Sequence, residues 1–209
     1  MGGVHRAARA LGLVATVVLL AGCDAGEDAA LACKVEVDTP ELVADREAAG
    51  IADCTEIPTA AGASELPDLE LRCLGGTTTL ALSDVRGPAI VNFWSTTCEP
   101  CREEMPVLQE FHERYGEQVP LLGVNFLDTY PGAAIDFARL TKVTYPSAAD
   151  ACGDLQSSAL SVQGLPQFLF VRADGSVEQR AGGVDDLAEV VAMAEELLAV
   201  ELDGPEAER

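Results

Sequence analysis

Cys98 and Cys101, with two residues between them, stand behind an apolar run, Ala89 to Trp94, and at the head of a helical pattern that continues to Tyr115. The run reads as a buried strand, so it delivers Cys98 to a helix start, where unpaired N–H groups and the helix dipole favour an anion. A thiolate is stabilised there, and the thiolate is the form that attacks disulfides. Cys101 lies one turn further in, near enough to close a small disulfide ring and less exposed. Cys98 is therefore expected to attack a partner disulfide and Cys101 to resolve the mixed disulfide. Half of a zinc site is the poorer reading, because zinc wants four ligands and no second Cys-x-x-Cys or His pair follows at a suitable spacing, with His112 isolated on the helix. No metal and no cofactor are expected. Two acids accompany the pair: Glu99 between the cysteines and Glu104 three residues after Cys101. A negative charge on either opposes thiolate formation, and a buried Glu104 could carry protons to and from the resolving thiol. A less stabilised thiolate makes a more reducing couple, so the pair is expected to reduce rather than oxidise.

Several elements must hold this pair in place. Leu69 to Leu74 and Thr77 to Leu82 read as two extended pieces around Gly75-Gly76, an N-terminal hairpin. After the Cys98–Tyr115 helix come a second buried strand, Val119 to Leu127, and a second helix, Gly132 to Val143. A loop with Cys152 follows, then strands at Pro166 to Arg172 and Val177 to Arg180 around the turn Ala173-Asp174-Gly175-Ser176, and a final helix from Asp185 to about Leu202. Parallel strands need a crossover helix, whereas the last two strands can join by a tight turn. The expected fold is therefore α/β, a mixed central sheet flanked by helices with the hairpin as an N-terminal extension.

The first residues have another character. His5, Arg6 and Arg9 precede an uncharged Leu- and Val-rich run, Ala10 to Ala21, which is too short for a finished membrane span and reads as a secretion signal. It closes on Leu20-Ala21-Gly22-Cys23, which resembles the bacterial lipobox. Cys23 would then become the lipidated first residue, tying the domain to the outer face of the cell membrane. Removing residues 1–22 takes two of the 13 basic residues and none of the 35 acidic ones, leaving a net charge of −24. Nucleic acid is a poor partner for such a surface. Residues 23–65 are expected to form an acidic tether, a small disulfide-stapled pre-domain and a linker. Within them Thr39-Pro40-Glu41 to Gly50 carries helix start and stop signals. The main domain is placed at 66–202 and a flexible tail at 203–209.

Over roughly Leu66 to Leu198 the sequence resembles the TlpA/ResA branch of the thioredoxin superfamily. The resemblance rests on Asn92-Phe93-Trp94, Cys98-Glu99-Pro100-Cys101, Glu104-Met105-Pro106 and Gly164-Leu165-Pro166. It implies a thioredoxin-like fold and a cis Leu165–Pro166 bond opposite the disulfide, with Leu165, Pro166 and Trp94 at the client-binding surface. It also implies that the acid at Glu104 tunes the thiol pair, that the clients are exported proteins with disulfides, apocytochrome c during cytochrome c maturation among them, and that electrons come from a membrane thiol donor of the CcdA or DsbD kind. Thr97 stands where the family usually has Trp, and Gln167 where Thr is common; both are expected beside the client surface.

Cys33, Cys54, Cys73 and Cys152 form an even set in an oxidising compartment, so two structural disulfides are expected. The favoured pairing is Cys33–Cys54 and Cys73–Cys152, with the other two connectivities open. Rival activities are a disulfide-forming oxidase and a metal- or haem-handling chaperone using the pair as soft ligands. A thiol peroxidase is disfavoured, because Val91 and Ser95 stand where its Pro-x-x-x-Thr-x-x-Cys pattern needs Pro and Thr. A monomer is expected.

Overall fold

A computed structural model describes residues 33–203, apart from 159 and 161, together with Gly2. The secretion signal, Cys23 and residues 204–209 lie outside the described residues. The order of elements is α1 (Pro40–Ala49), β1 (Glu70–Cys73), β2 (Thr79–Ala81), β3 (Ala89–Trp94), α2 (Glu99–Tyr115), β4 (Leu121–Phe126), α3 (Pro131–Leu140), β5 (Ser147–Asp150), β6 (Gln167–Val171), β7 (Val177–Ala181) and α4 (Leu187–Leu198).

The strands form one sheet in the order β2-β1-β5-β4-β3-β6-β7. β3, β4 and β5 run parallel, and β6, β7, β1 and β2 join antiparallel to their neighbours. β3 and β4 are buried along their whole length, as the unbroken apolar runs require for strands covered on both faces. Side chains alternate across β3: Ile90 and Trp94 enter a core shared with α2, α3 and α4, while Val91 and Phe93 enter a second core on the opposite face. Asn92 shares the α2 face, which matters for the site.

The second core is closed by irregular chain, with Ile57, Leu66, Leu155 and Val162 packed over the sheet. Residues 33–65 therefore do not stand apart as a pre-domain. They belong to the same compact unit as the rest of the described chain, with α1 packed on α3. α1 has the caps its sequence signals: the Thr39 hydroxyl accepts from Leu42 N–H, and Gly50 closes the helix at φ 72°. Its buried Arg46 donates from Nε to Gly75 O at 3.0 Å and from its terminal nitrogen to Ile51 O at 2.8 Å, riveting α1 to the turn after β1.

β5 corrects the sequence reading, which left this stretch as loop. Ser147-Ala148-Ala149-Asp150 has little intrinsic strand preference and becomes a strand through its position between β1 and β4. The structural disulfides are corrected too: Cys33 pairs with Cys152, and Cys54 with Cys73. Cys73 opposes Ala148 within the β1–β5 pairing, whereas Cys152 lies in the turn after β5 has ended, away from Cys73. Cys54 instead lies buried against β1, its amide donating to Cys73 Sγ at 3.1 Å, and the exposed Cys33 meets the loop beyond β5.

Candidate active site

The Cys98–Cys101 disulfide sits where β3 hands over to α2. Cys98 is the helix N-cap, in extended conformation at φ −86°, and its sulfur accepts from Cys101 N–H at 3.2 Å. The same amide faces a Cys98 thiolate once the disulfide opens, the local source of anion stabilisation. Cys98 is partly exposed and Cys101 fully buried, an asymmetry that leaves only Cys98 open to an incoming disulfide.

Thr96, in the turn between strand and helix, is held from the chain just beyond β4. Asp128, just past the end of β4, accepts at Oδ2 from Thr96 N–H at 2.8 Å, Thr96 Oγ1 at 2.7 Å and Asn125 Nδ2 at 3.2 Å, and at Oδ1 from Tyr130 N–H at 3.3 Å. Register explains the meeting, since Trp94 pairs with Asn125 across parallel strands and both exits leave on the same side. Sequence reasoning missed Asp128; the available signal was an acid just past the C-terminal end of a strand parallel to β3. Thr97, by contrast, is exposed, and its amide donates to Ser95 Oγ at 3.2 Å.

Glu104 lies one turn beyond Cys101 and is fully buried. Its Oε1 accepts from Asn92 Nδ2 at 2.9 Å, and its Oε2 makes no hydrogen bond with the described residues. Burial raises its pKa to about 8, against weaker lowering by the Asn92 bond and by the nearby Val184 amide dipole. Near neutral pH the carboxyl is protonated while the cysteines are oxidised. Tyr145, also fully buried, has its pKa raised by burial and by the neighbouring Glu104. Glu99 is exposed on the first turn, and Arg102 lays its guanidinium 5.0 Å from the centre of the Phe137 ring.

The Leu165–Pro166 bond is cis, and Pro166 O accepts from Gly182 N–H at 3.1 Å. A methyl group placed on Gly183 would lie 3.4 Å from Pro166 Cγ, 3.9 Å from Pro100 Cβ and 3.3 Å from Glu104 Oε2, so the proline loop, the cysteine turn and the buried acid converge on one glycine. Beside them a cleft of about 260 Å³ is lined by Ser95, Thr97, Phe126, Leu127, Val162 and Leu165 among others, none of those six charged. Trp94 departs from expectation: it is fully buried, with its ring centroid 6.3 Å from that of Phe137, and cannot touch a client. Alternation along β3 turns it inward. Gln167 is also fully buried, its Oε1 accepting from Gln163 N–H at 3.4 Å. Among the described residues no group of three or more His, Cys, Asp or Glu side chains is arranged to hold a metal ion, and no helix is long and apolar enough to cross a membrane.

Residues 63–180, more than half of the chain, match the AhpC/TSA family. The chain belongs to the AhpC/TSA family. Within it the likeness is to thiol:disulfide oxidoreductases. The chain is 33% identical over 135 residues to the thiol:disulfide interchange protein DsbE of Pseudomonas fluorescens biotype C, an overlap covering 64% of this chain and 74% of the relative. It is 35% identical over 128 residues to the thiol-disulfide oxidoreductase ResA of Geobacillus kaustophilus, covering 60% and 71%. The structure of a secreted thiol-disulfide isomerase from Corynebacterium glutamicum superposes with a TM-score of 0.55 at 25% identity, over 65% of this chain and 86% of that one. The family fold is thioredoxin-like, and the sheet described above is this chain's version of it.

Proposed function

We propose that this chain is an extracytoplasmic thiol:disulfide oxidoreductase that reduces disulfides in exported proteins, and that Glu104 is its proton carrier. The observation that carries the reading is a fully buried carboxyl, its pKa raised by that burial, one turn from the buried cysteine of an oxidised pair. In the proposed cycle the Cys98 thiolate attacks a client disulfide, one client sulfur leaves as thiolate, and Cys98 is held in a mixed disulfide. Cys101 then gives its proton to ionised Glu104, and the resulting thiolate attacks Cys98 Sγ. The second client sulfur leaves with the bonding pair, which completes a two-electron reduction of the client and oxidation of the enzyme. Glu104 ends protonated, as its raised pKa in the oxidised form requires.

Glu104 also bears on direction. Two anions in so dry a site repel, so an ionised Glu104 raises the thiol pKa and a thiolate raises that of Glu104. The reduced pair is thereby less stabilised and a better reductant. Glu99, exposed to water, has little leverage by comparison. Clients are proposed to lie along Leu165, the cis proline and the adjoining cleft, with Thr97 on its rim. Work outside the cytoplasm is supported by the secretion signal and by the secreted relative. Anchoring through lipidated Cys23, electrons from a membrane thiol donor and a place in cytochrome c maturation rest on the lipobox and the TlpA/ResA resemblance.

Equilibrating the Cys98–Cys101 couple with glutathione and thioredoxin tests the direction. A potential well below about −200 mV is expected, and one near about −120 mV would overturn the reading in favour of an oxidase. A Cys101→Ser variant is expected to trap exported proteins through Cys98; capture of none removes the proposed clients.

A further inference from the structure

Thr97, the residue before Cys98, and Leu165, the residue before the cis proline, line one cleft of about 260 Å³. A client sulfur attacked at Cys98 therefore carries its neighbouring residue over this cleft, which has room for a side chain or two rather than for a whole ligand. None of the residues lining it is charged, in a chain with 35 acidic and 13 basic residues. Leu127, which also lines it, breaks two local rules together: it is 53% exposed, and its backbone is left-handed at φ 50°. Among the described residues it alone is both a large exposed apolar side chain and a non-glycine in that conformation. It turns the chain after β4, where Asp128 reaches Thr96, and glycine or asparagine would supply that turn at less cost. The leucine is nonetheless given a place to rest. Asp150 O accepts from Leu127 N–H at 3.0 Å and from Gly153 N–H at 3.1 Å, and a methyl group on Gly153 would collide with Leu127 Cδ2. Gly153 is thus a flat floor for this side chain, in a turn that Cys152 ties to Cys33.

We propose that Leu127 selects the clients: with Phe126, Val162 and Leu165 it takes up an apolar side chain next to the cysteine that Cys98 attacks, so the enzyme prefers disulfides flanked by apolar residues. Such disulfides are reachable in unfolded chains and covered in folded ones, because apolar neighbours are the residues that folding buries. The inference rests on the proposed attack of Cys98 on client disulfides and adds which disulfides are attacked. Leu127 touches the client and no reacting sulfur. Its contact forms only once a client is seated, when the exposed leucine and the client side chain leave water together. Neither the backbone nor the core asks for leucine at this position, and a residue that breaks local rules beside a reactive pair is explained by what it meets there.

Two synthetic peptides supply the test, each closed by one disulfide and identical except that Leu or Ser stands on both sides of each cysteine. Each is mixed in excess with the reduced enzyme, whose Cys98–Cys101 dithiol gives two electrons to the peptide disulfide and becomes oxidised. The single turnover is stopped with acid and followed by mass spectrometry. Dividing each rate by that of the same peptide with dithiothreitol, which has no cleft, removes the disulfide's own reactivity. The wild-type enzyme is expected to prefer the Leu peptide about tenfold, the low end for an apolar contact, as suits an open site. Leu127→Met, which keeps an apolar side chain, is expected to hold that ratio, and Leu127→Gly to bring it within about twofold. A Gly variant that keeps the wild-type ratio overturns the proposal, as does a Met variant that loses it. Thermal unfolding of Leu127→Asn is expected to match or exceed wild type. A fall of more than about 4 °C would assign the leucine to the fold, and the proposal would go with it. A wild-type enzyme that reduces both peptides equally refutes the selection alone, whereas one that reduces neither refutes the proposed reductase itself.

Discussion

Replacing Glu104 by Gln turns the buried acid into a stability measurement. In the folded oxidised protein the carboxyl titrates near 8, against 4.5 in an unstructured chain. Between those values the native state keeps a proton that the unfolded state has lost, so stability falls as pH rises through the window. The slope is about 1.4 kcal/mol per pH unit, which sets a ceiling of about 5 kcal/mol across the window. Local opening that wets the ionised carboxylate will take back part of it. Gln keeps the acceptor for Asn92 Nδ2 at 2.9 Å and cannot ionise, so it should cost little near the acid end and should gain steadily on wild type toward the alkaline end. Urea unfolding of both oxidised proteins at about pH 5, 6, 7 and 8 measures the difference. Asp150 and His112, whose pKa values are moved up and down by burial, are common to both proteins and cancel. A difference that stays within about 0.5 kcal/mol over the whole window would show that Glu104 is already ionised in the native state, and the proton bookkeeping of the proposed cycle would fail with it.

The other structural claims are as open to measurement. Asp128→Ala leaves the amide and hydroxyl of Thr96 without their acceptor and should cost about 2–3 kcal/mol in chemical denaturation, with a slower Cys98; Asp128→Asn, which keeps one oxygen, should cost less. Replacing both Cys54 and Cys73 by Ala opens a bridge between residues 19 apart and should lower stability by about 3 kcal/mol in thermal unfolding, without abolishing thiol exchange at Cys98 in the cold. Under graded reductant, mass spectrometry should find the bridge at exposed Cys33 and the partly exposed active-site pair opened before fully buried Cys54–Cys73. Arg46→Met keeps the apolar stem but strands the carbonyls of Gly75 and Ile51, at a cost of about 3 kcal/mol in the same denaturation assay.

Patterns that act over a few residues were legible in the sequence. The apolar run at Ala89–Trp94 matches β3 residue for residue, Thr39 and Gly50 cap α1, and Cys98 stands at the head of α2 as the strand-then-helix pattern requires. What was not legible depends on register between distant segments. Ser147–Asp150 is a strand because β1 and β4 flank it, and the disulfide pairing follows from that strand's register with Cys73. Asp128 matters because two parallel strands end together. Trp94 and Gln167 sit beside site residues in sequence, yet both turn into the interior.

The margins of the sheet carry a consequence for the protein's behaviour in bulk. One open edge is β2, only three residues long. The other, β7, carries Glu178 and Arg180, which bridge each other at 3.3 Å, while Arg172 reaches Glu178 from beyond β6. A brief edge on one side and a charged one on the other give a neighbouring copy little to pair with, strand against strand. The surplus of acid over base adds mutual repulsion. Protein clients of the kind proposed would thus meet a reactive groove and find no rims along which to stack.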